Sequence, residues 1–440
     1  MKYMVLFLLV AVVLHGSIME RDTLDNGLIV ISIEAHKIPV VEMRAVIFAG
    51  SVFDPSGVEG LANITSQMLV RGTESRVLDS IVRSIESVGG ELSAFAAEDY
   101  AGLRGRALSK DIGLLMELFS DCLQNPRFDS GELENVKREV IGDIKVDTDR
   151  PFNLIDRAFR KLVFGDHPLG HYPNGYDSTV ALITEDDVRT FYDEYYSPNN
   201  AFIICVGDFS KKELLSALDR HLGTWKRKEV QHPVIPEVQI SDHPVGKIIP
   251  MDISQAYIIL GHQGPAVGAP DWYETRVMNF IYGGSGLTSR ISWKIREEMG
   301  LAYVAYSRFY RFQNSGLFAA EVQTRKEMAN QVVQELLNEM KRLDVDVQQD
   351  ELDRAKQYYI GHFPLSYDTY REMAQMAGYI EIEKLGGDYL EKFPDYIEAV
   401  DLDKVKTATR NHLHPERFYL MVVGDVSPED IQVEGIEWVE

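Results

Sequence analysis

Two stretches of this chain match each other at a fixed distance. Tyr196-Ser-Pro-Asn-Asn-Ala-Phe-Ile-Ile-Cys-Val-Gly-Asp208 and Leu413-His-Pro-Glu-Arg-Phe-Tyr-Leu-Met-Val-Val-Gly-Asp425 place Pro198 and Pro415, Gly207 and Gly424, and Asp208 and Asp425 at one offset of 217 residues. In both copies a proline ends a helix, since its ring bars the preceding residue from helical geometry, and an apolar run of strand length then closes on Gly-Asp. Helix-start chemistry follows each copy. Ser210 with Glu213 forms a capping-box pattern, and Ser427 precedes Pro428, a residue suited to the first helical position. The chain is therefore expected to use one structural unit twice.

Length agrees with that expectation, because 440 residues exceed what one hydrophobic core supports. Between the copies, over 226–246, the sequence turns charged and contains Pro233, Pro236 and Pro244 without sustained periodicity, which marks a linker. The expected division is a leader over 1–19, an N-terminal domain over 20–225 and a C-terminal domain over 247–440. Each half mixes element types. Val41 to Gly50 reads as a strand, Val77, Ile81, Ile85 and Val88 share one helical face, and Thr184 with Asp187 opens another helix before Pro198. An α+β fold follows, with each half an antiparallel-rich sheet covered on one face by helices.

Charge and cysteine content exclude several functions. With 45 Lys+Arg against 68 Asp+Glu, a formal charge of -23 repels phosphate backbones, so no nucleic-acid partner is expected. The two cysteines, Cys122 and Cys205, sit in apolar runs and read as core residues. Lys2 precedes an apolar stretch from Tyr3 to Leu14, too short to span a bilayer comfortably but fit for the centre of a secretory signal, with Gly16 and Ser17 following. Export to the periplasm or another extracytoplasmic space is expected, with an uncleaved membrane anchor as the alternative.

One segment has the frame of a metal site without its chemistry. Gly60-Leu-Ala-Asn-Ile-Thr-Ser-Gln-Met-Leu-Val-Arg-Gly-Thr73, preceded by Gly50-Ser-Val-Phe-Asp-Pro55, resembles the helix that carries the inverted zinc motif H-x-x-E-H in the pitrilysin/insulinase family of metallopeptidases. At the positions of the two His ligands and the general-base Glu stand Asn63, Gln67 and Ser66, and the family's third ligand, a later Glu, corresponds to Asp143 in Val136-Lys-Arg-Glu-Val-Ile-Gly-Asp-Ile144. Zinc takes imidazole, thiolate or carboxylate, and a water-activating base must accept a proton. Amides and a hydroxyl do neither well, so no metal is expected in this chain. His167 and His171 have i, i+4 spacing, but Asp166-His-Pro-Leu-Gly-His-Tyr-Pro-Asn-Gly175 is rich in helix breakers, and His412 and His414 read as helix-end residues.

A second segment keeps its chemistry. Gly283-Gly-Ser-Gly-Leu-Thr-Ser-Arg290 lacks the Gly-Lys-Ser/Thr ending of a phosphate loop and reads as a glycine-rich turn opening a helix. Beyond it, Arg296-Glu-Glu-Met-Gly-Leu-Ala-Tyr303 resembles the Arg/Tyr motif of the same family, whose Arg and Tyr reach across a clamshell to hydrogen-bond substrate carbonyl and oxyanion. The plain alternative pairs Arg296 with Glu297 or Glu298 and packs Tyr303 in a strand. Gly89-Gly-Glu-Leu-Ser-Ala-Phe-Ala-Ala-Glu-Asp-Tyr100 resembles the family's glycine-pair turn and substrate-binding edge strand, which would place Ser93, Ala94 and Phe95 against an extended peptide, although the family often has Asn at position 93.

The resemblance runs from about Arg21 to the C-terminus. It implies the non-zinc-binding subunit of a heterodimeric metalloendopeptidase, whose homologous partner carries H-x-x-E-H and the zinc and whose substrates are peptides or unfolded polypeptides. A silent scaffold or peptide-binding protein of the same fold, and a self-sufficient peptidase with another metal set, are the alternatives.

Overall fold

The computed structural model describes residues 19–440, so the expected leader lies, apart from Met19, outside the described residues. The first sheet contains β1 (Glu20–Thr23), β2 (Ile29–Glu34), β3 (Val40–Ile47), β4 (Glu91–Ala96), β5 (Ala101–Leu108) and β6 (Ala201–Gly207), in the spatial order β1-β2-β6-β3-β5-β4. The second contains β7 (Val245–Pro250), β8 (Gln255–Gly264), β9 (Ala302–Arg311), β10 (Gly316–Arg325), β11 (Tyr419–Gly424) and β12 (Glu437–Trp438), in the order β12-β7-β11-β8-β10-β9. The repeat is thus structural. β2 and β6 pair in parallel, as do β7 and β11, and antiparallel β3, β5 and β4 correspond to β8, β10 and β9. Only the outermost strands differ, β1 running antiparallel to β2 and β12 parallel to β7.

The glycine of each repeated Gly-Asp has a steric reason. Gly207 and Gly424 have φ of +141° and +157°, and a Cβ would lie 2.1 Å from the Val40 carbonyl oxygen at the first and 2.9 Å from that of Gln255 at the second. Capping follows the sequence in part. Thr184 and Asp187 form their capping box, and the strand expected from Val41 spans Val40–Ile47. Ser210 makes no side-chain cap; the Lys211 amide instead donates to the Glu34 carboxylate at 3.0 Å. Ser427 caps with Asp430, but only a single 3-10 turn, Pro428–Asp430, follows. Between the halves, 226–244 form neither helix nor strand.

The central strands of each sheet are buried on both faces. Val41, Met43, Ala45 and Ile47 of β3, with Ile203 and Cys205 of β6, face their own half's helices, among them Leu61–Met68, Ile112–Gln124 and Ser130–Thr148. The alternate residues Val46, Phe202, Ile204 and Val206 face the other way. There they meet Tyr370–Ile382, a helix of the second half that packs on β3 and β6 through Ala374, Ala377 and Ile380. The exchange is reciprocal. Pro151–Phe164, a first-half helix, packs on β8 and β11, setting Ile155, Phe159 and Val163 against Ile259, Leu317, Met421 and Val423.

Equivalent hairpin tips also touch. Asp99, in the turn joining β4 and β5, accepts a hydrogen bond from the Gln313 amide at 3.0 Å, in the turn joining β9 and β10. Beside it, Glu98 pairs with Arg160, whose guanidinium lies 4.6 Å from the Tyr172 ring and 5.4 Å from that of Phe312.

Truncating Phe159, fully buried between the halves, to Ala is expected to cost about 3–5 kcal/mol in chemical denaturation. Burial pushes the Asp99 carboxyl up to about 6, outweighing the Gln313 amide that favours its ionised form. Folding thus prefers the protonated acid, a contribution fully present below the unfolded value and lost as pH rises through about 6. Asp99→Asn should gain stability over the parent chain by on the order of 1–3 kcal/mol between pH 4 and pH 7, read as diverging melting curves; parallel curves would contradict it.

Candidate functional site

The helix Leu61–Met68 starts on a carboxylate from outside itself. Gly60 precedes it with φ of +104°, and the Asp54 carboxylate accepts the amides of Gly60 and Ala62 at 2.7 Å each. Asp54 is completely buried; His171 Nε2 approaches it at 3.4 Å and lies 3.1 Å from the Ser51 carbonyl oxygen. Burial raises the Asp54 carboxyl, while His171 and the two amides oppose the shift. The frame around the degenerate motif is in this way a helix-capping device.

The motif positions on that helix are committed to one another. Ser66 Oγ donates to the Asn63 carbonyl at 2.9 Å, and Gln67 Nε2 donates to Asn63 Oδ1 at 3.1 Å. Ser66 is buried, Asn63 and Gln67 half-buried, and Asp143 is exposed on the helix Ser130–Thr148. This set does not fit zinc. It holds two neutral amides and a hydroxyl already hydrogen-bonded within the helix, and Asp143 is a single exposed carboxylate, too few ligands for a site. Among the described residues, no group of three or more His, Cys, Asp or Glu is placed to hold a metal ion.

The spaced histidines serve separate structural ends. His167 Nε2 lies 2.9 Å from the Pro236 carbonyl and its Nδ1 accepts the Leu169 amide at 3.0 Å, while His171 turns inward to Asp54. His412 ends its helix against Asp271 at 2.8 Å, and the His414 amide donates to His262 at 3.2 Å. Both cysteines are buried, and burial pushes the Cys122 thiol up to about 12, far from the thiolate chemistry of a nucleophile.

The segment carrying the retained motif is bound tightly to its surroundings. At Gly283 a Cβ would sit 2.3 Å from Ser307 Oγ and 2.7 Å from its amide, so only glycine allows the turn to lie on β9. Arg290, with 11% of its side chain exposed, grips Glu351 through Nε at 2.7 Å and Nη2 at 2.6 Å, and Asp346 through Nη1 at 2.6 Å. Two widened, π-helical turns, Phe280–Gly284 and Trp293–Glu298, flank this anchor. Arg296 lies on the second. Its guanidinium stands 4.7 Å from the Tyr303 ring, and its Nε lies 3.3 Å from Glu297. Tyr303 is 78% exposed at the start of β9, so its ring projects from the sheet instead of packing within it. Glu298 pairs with Lys294.

Both β4 and β9 are edge strands, each paired on one side only, to β5 and β10. On β4, Ser93 Oγ accepts from Arg104 Nε at 2.8 Å, Ala94 is half-buried, and Arg44 lies 4.4 Å from the Phe95 ring. The helix Leu61–Met68 packs against β4, which brings the degenerate motif beside that edge. Arg296 and Tyr303 meet each other in the second half, and among the described residues no hydrogen bond or ion pair ties them to Asn63, Ser66, Gln67 or Asp143. Sequence reasoning missed Asp54 as the cap and Arg290 as the anchor. Asp54 lay in a quoted motif, six residues from Gly60, while the carboxylates of Arg290 are more than fifty residues away in sequence.

Residues 29–171 match the family model described as Insulinase (Peptidase family M16), and residues 182–359 match that described as Peptidase M16 inactive domain. An uncharacterized zinc protease of Rickettsia bellii is 26% identical over 383 residues, covering 87% of this chain and 90% of its own length. One from Bacillus subtilis is 24% identical over 408 residues, covering 92% and 98%. The crystal structure of a peptidase M16 inactive domain from Pseudomonas fluorescens superposes with a TM-score of 0.85 at 25% identity, over 92% of this chain and 98% of that one. A protease from Helicobacter pylori shares the fold, with a TM-score of 0.85 at 19% identity over 92% and 99%. With both halves matched and the clamshell-type fold shared, this chain belongs to the insulinase/pitrilysin family of peptidases, M16.

Proposed function

We propose that this protein is the non-zinc-binding subunit of a heterodimeric metalloendopeptidase, with zinc held by a homologous partner carrying an intact H-x-x-E-H. One contrast carries this reading: the motif positions of the Leu61–Met68 helix hold neutral groups bonded to each other, while Arg296 and Tyr303 stand together at an exposed strand edge. Arg296 offers a permanently charged fork of donors and Tyr303 a hydroxyl on a rigid ring. Stacking the guanidinium on the ring restricts both side chains; Glu297 engages Arg296 Nε, and the remaining guanidinium donors and the Tyr303 hydroxyl are those that would meet a peptide carbonyl and the negative charge that grows on it. Each such donor is worth about 3 kcal/mol in the transition state.

The open edge of β4 suits an extended peptide held by main-chain hydrogen bonds, with Ser93, Ala94 and Phe95 setting loose side-chain preferences. Substrates would then be peptides or unfolded segments, met outside the cytoplasm if the apolar N-terminal stretch directs export.

Purified alone, the chain is expected to bind no stoichiometric zinc and to cleave no peptide. Reconstituted with its zinc-bearing partner it should show endopeptidase activity, with Arg296→Ala or Tyr303→Phe lowering kcat about 100-fold while co-purification of the two subunits is unaffected. Unchanged turnover in both variants would instead favour a scaffold or peptide-binding role. Chelator-sensitive cleavage by the isolated chain would refute the proposal outright.

A further inference from the structure

In the second half, a pocket of about 440 Å³ opens among the helices Trp272–Asn279, Gln349–His362, Tyr370–Ile382 and Tyr389–Glu398. Neither Arg296 nor Tyr303 lines it, and its volume falls in the range of small-molecule sites, roughly 300–1,000 Å³. The walls are aromatic, formed chiefly by Trp272, Tyr359, Tyr379 and Phe393, with His362 and Ser366 exposed among the lining residues.

Two arginines share these walls and differ in one respect. Arg311 is neutralised: it pairs with Glu383, donates to the Tyr379 hydroxyl at 3.2 Å and lies 3.7 Å from the Trp272 ring. Arg276 lies 4.7 Å from the Tyr359 ring and 5.1 Å from that of Phe393, and among the described residues no carboxylate forms an ion pair with it. In a chain of net charge -23, a pocket guanidinium without a carboxylate is unusual. Contact with aromatic faces occupies the flat side of a guanidinium, and the Tyr359 hydroxyl answers one of the Arg276 donors, so the remaining in-plane N–H groups are those left for a further partner. A second donor is also unanswered, because Trp272 Nε1 is buried without a hydrogen-bond partner. Leaving a buried N–H unpaired costs stability, so each such group calls for an explanation.

We propose that this pocket binds a monoanionic carboxylate attached to an aromatic body. The fork of Arg276 matches a carboxylate, and since Glu383 already answers Arg311, one negative charge suffices. The aromatic walls take the apolar body of the ligand. Such a group could be a free aromatic acid or the C-terminal aromatic residue of a peptide. The inference stands independently of the peptidase reading.

Calorimetric titration of the purified full chain with 3-phenylpropionate tests it, alongside its amide and a peptide ending in phenylalanine with a free or amidated terminus. The acid should bind one to one, the amide at least about tenfold more weakly. Arg276→Gln should remove that preference, and Ser366→Trp, at an exposed lining position, should block both ligands without altering the melting temperature. If the Arg276 variant fails to fold, Ser366→Trp and the acid-against-amide comparison still decide. Tighter binding of the free-terminus peptide than of the small acid would assign the pocket to chain ends, and the reverse order to small acids. Equal affinity for acid and amide, no saturable binding below about 1 mM, or binding untouched by Ser366→Trp would overturn the proposal.

Discussion

The structure depends on a reciprocal exchange of helices between two sheets. Each half presents central strands that are apolar on both faces, and one of those faces is covered by a helix of the other half. Tyr370–Ile382 covers the far face of β3 and β6, and Pro151–Phe164 covers the far face of β8 and β11. Packing of this kind is not separable into two independent domains, because removing either half would expose a sheet face of the other to water. The contact of the β4–β5 turn with the β9–β10 turn adds polar specificity to the same junction, through Asp99 with Gln313, while Glu98 fixes Arg160 of the crossing helix Pro151–Phe164.

That arrangement leaves β4 and β9 as edges. The two are equivalent positions of the repeat, and both retain unpaired main-chain groups along one side. What distinguishes them is side-chain chemistry. β4 lies against the helix that would carry a metal motif, whereas β9 opens with the exposed Tyr303 beneath the Arg296 guanidinium. The Arg290 clamp onto Asp346 and Glu351 ties the stretch leading to Arg296 to two long helices, so a pair of surface side chains rests on a fixed backbone. For the proposed role this matters, since donors fixed in advance would leave no reorganisation to the reaction itself.

Much of this was legible in the sequence where the signal is local or repeated. The offset between Pro198 and Pro415 located β6 and β11, and the Thr184–Asp187 box located a helix start. The residue types at Asn63, Ser66 and Gln67 are read directly from the sequence, and their hydrogen bonds to one another follow from helical spacing. Long-range relations were not legible. The alternation of apolar residues on β3 states that both faces are buried but not which helix buries them, and Tyr370–Ile382 lies more than three hundred residues from that strand. The helix after Ser210 also takes its first-turn acceptor from afar, since Glu34, distant in sequence but adjacent on the sheet, accepts the Lys211 amide while Ser210 makes no side-chain cap. Likewise, a glycine cluster before Arg290 suggested a turn, and only the fold shows that Gly283 is needed for close approach to Ser307.

The degenerate helix also shows how a metal motif can lose its ligands without loss of the scaffold. In a site that folds around its metal, binding free energy is folding free energy, and losing the ligands unfolds the element. Here the Leu61–Met68 helix is held by other means. Asp54 caps its first turn from a buried position backed by His171, and Leu61, Ala62, Ile64 and Met68 enter the core of the first half. The motif positions then need only satisfy themselves, which Ser66 and Gln67 do by donating to Asn63. Because the helix does not depend on a metal, substitution at 63, 66 and 67 changes chemistry and leaves the architecture intact.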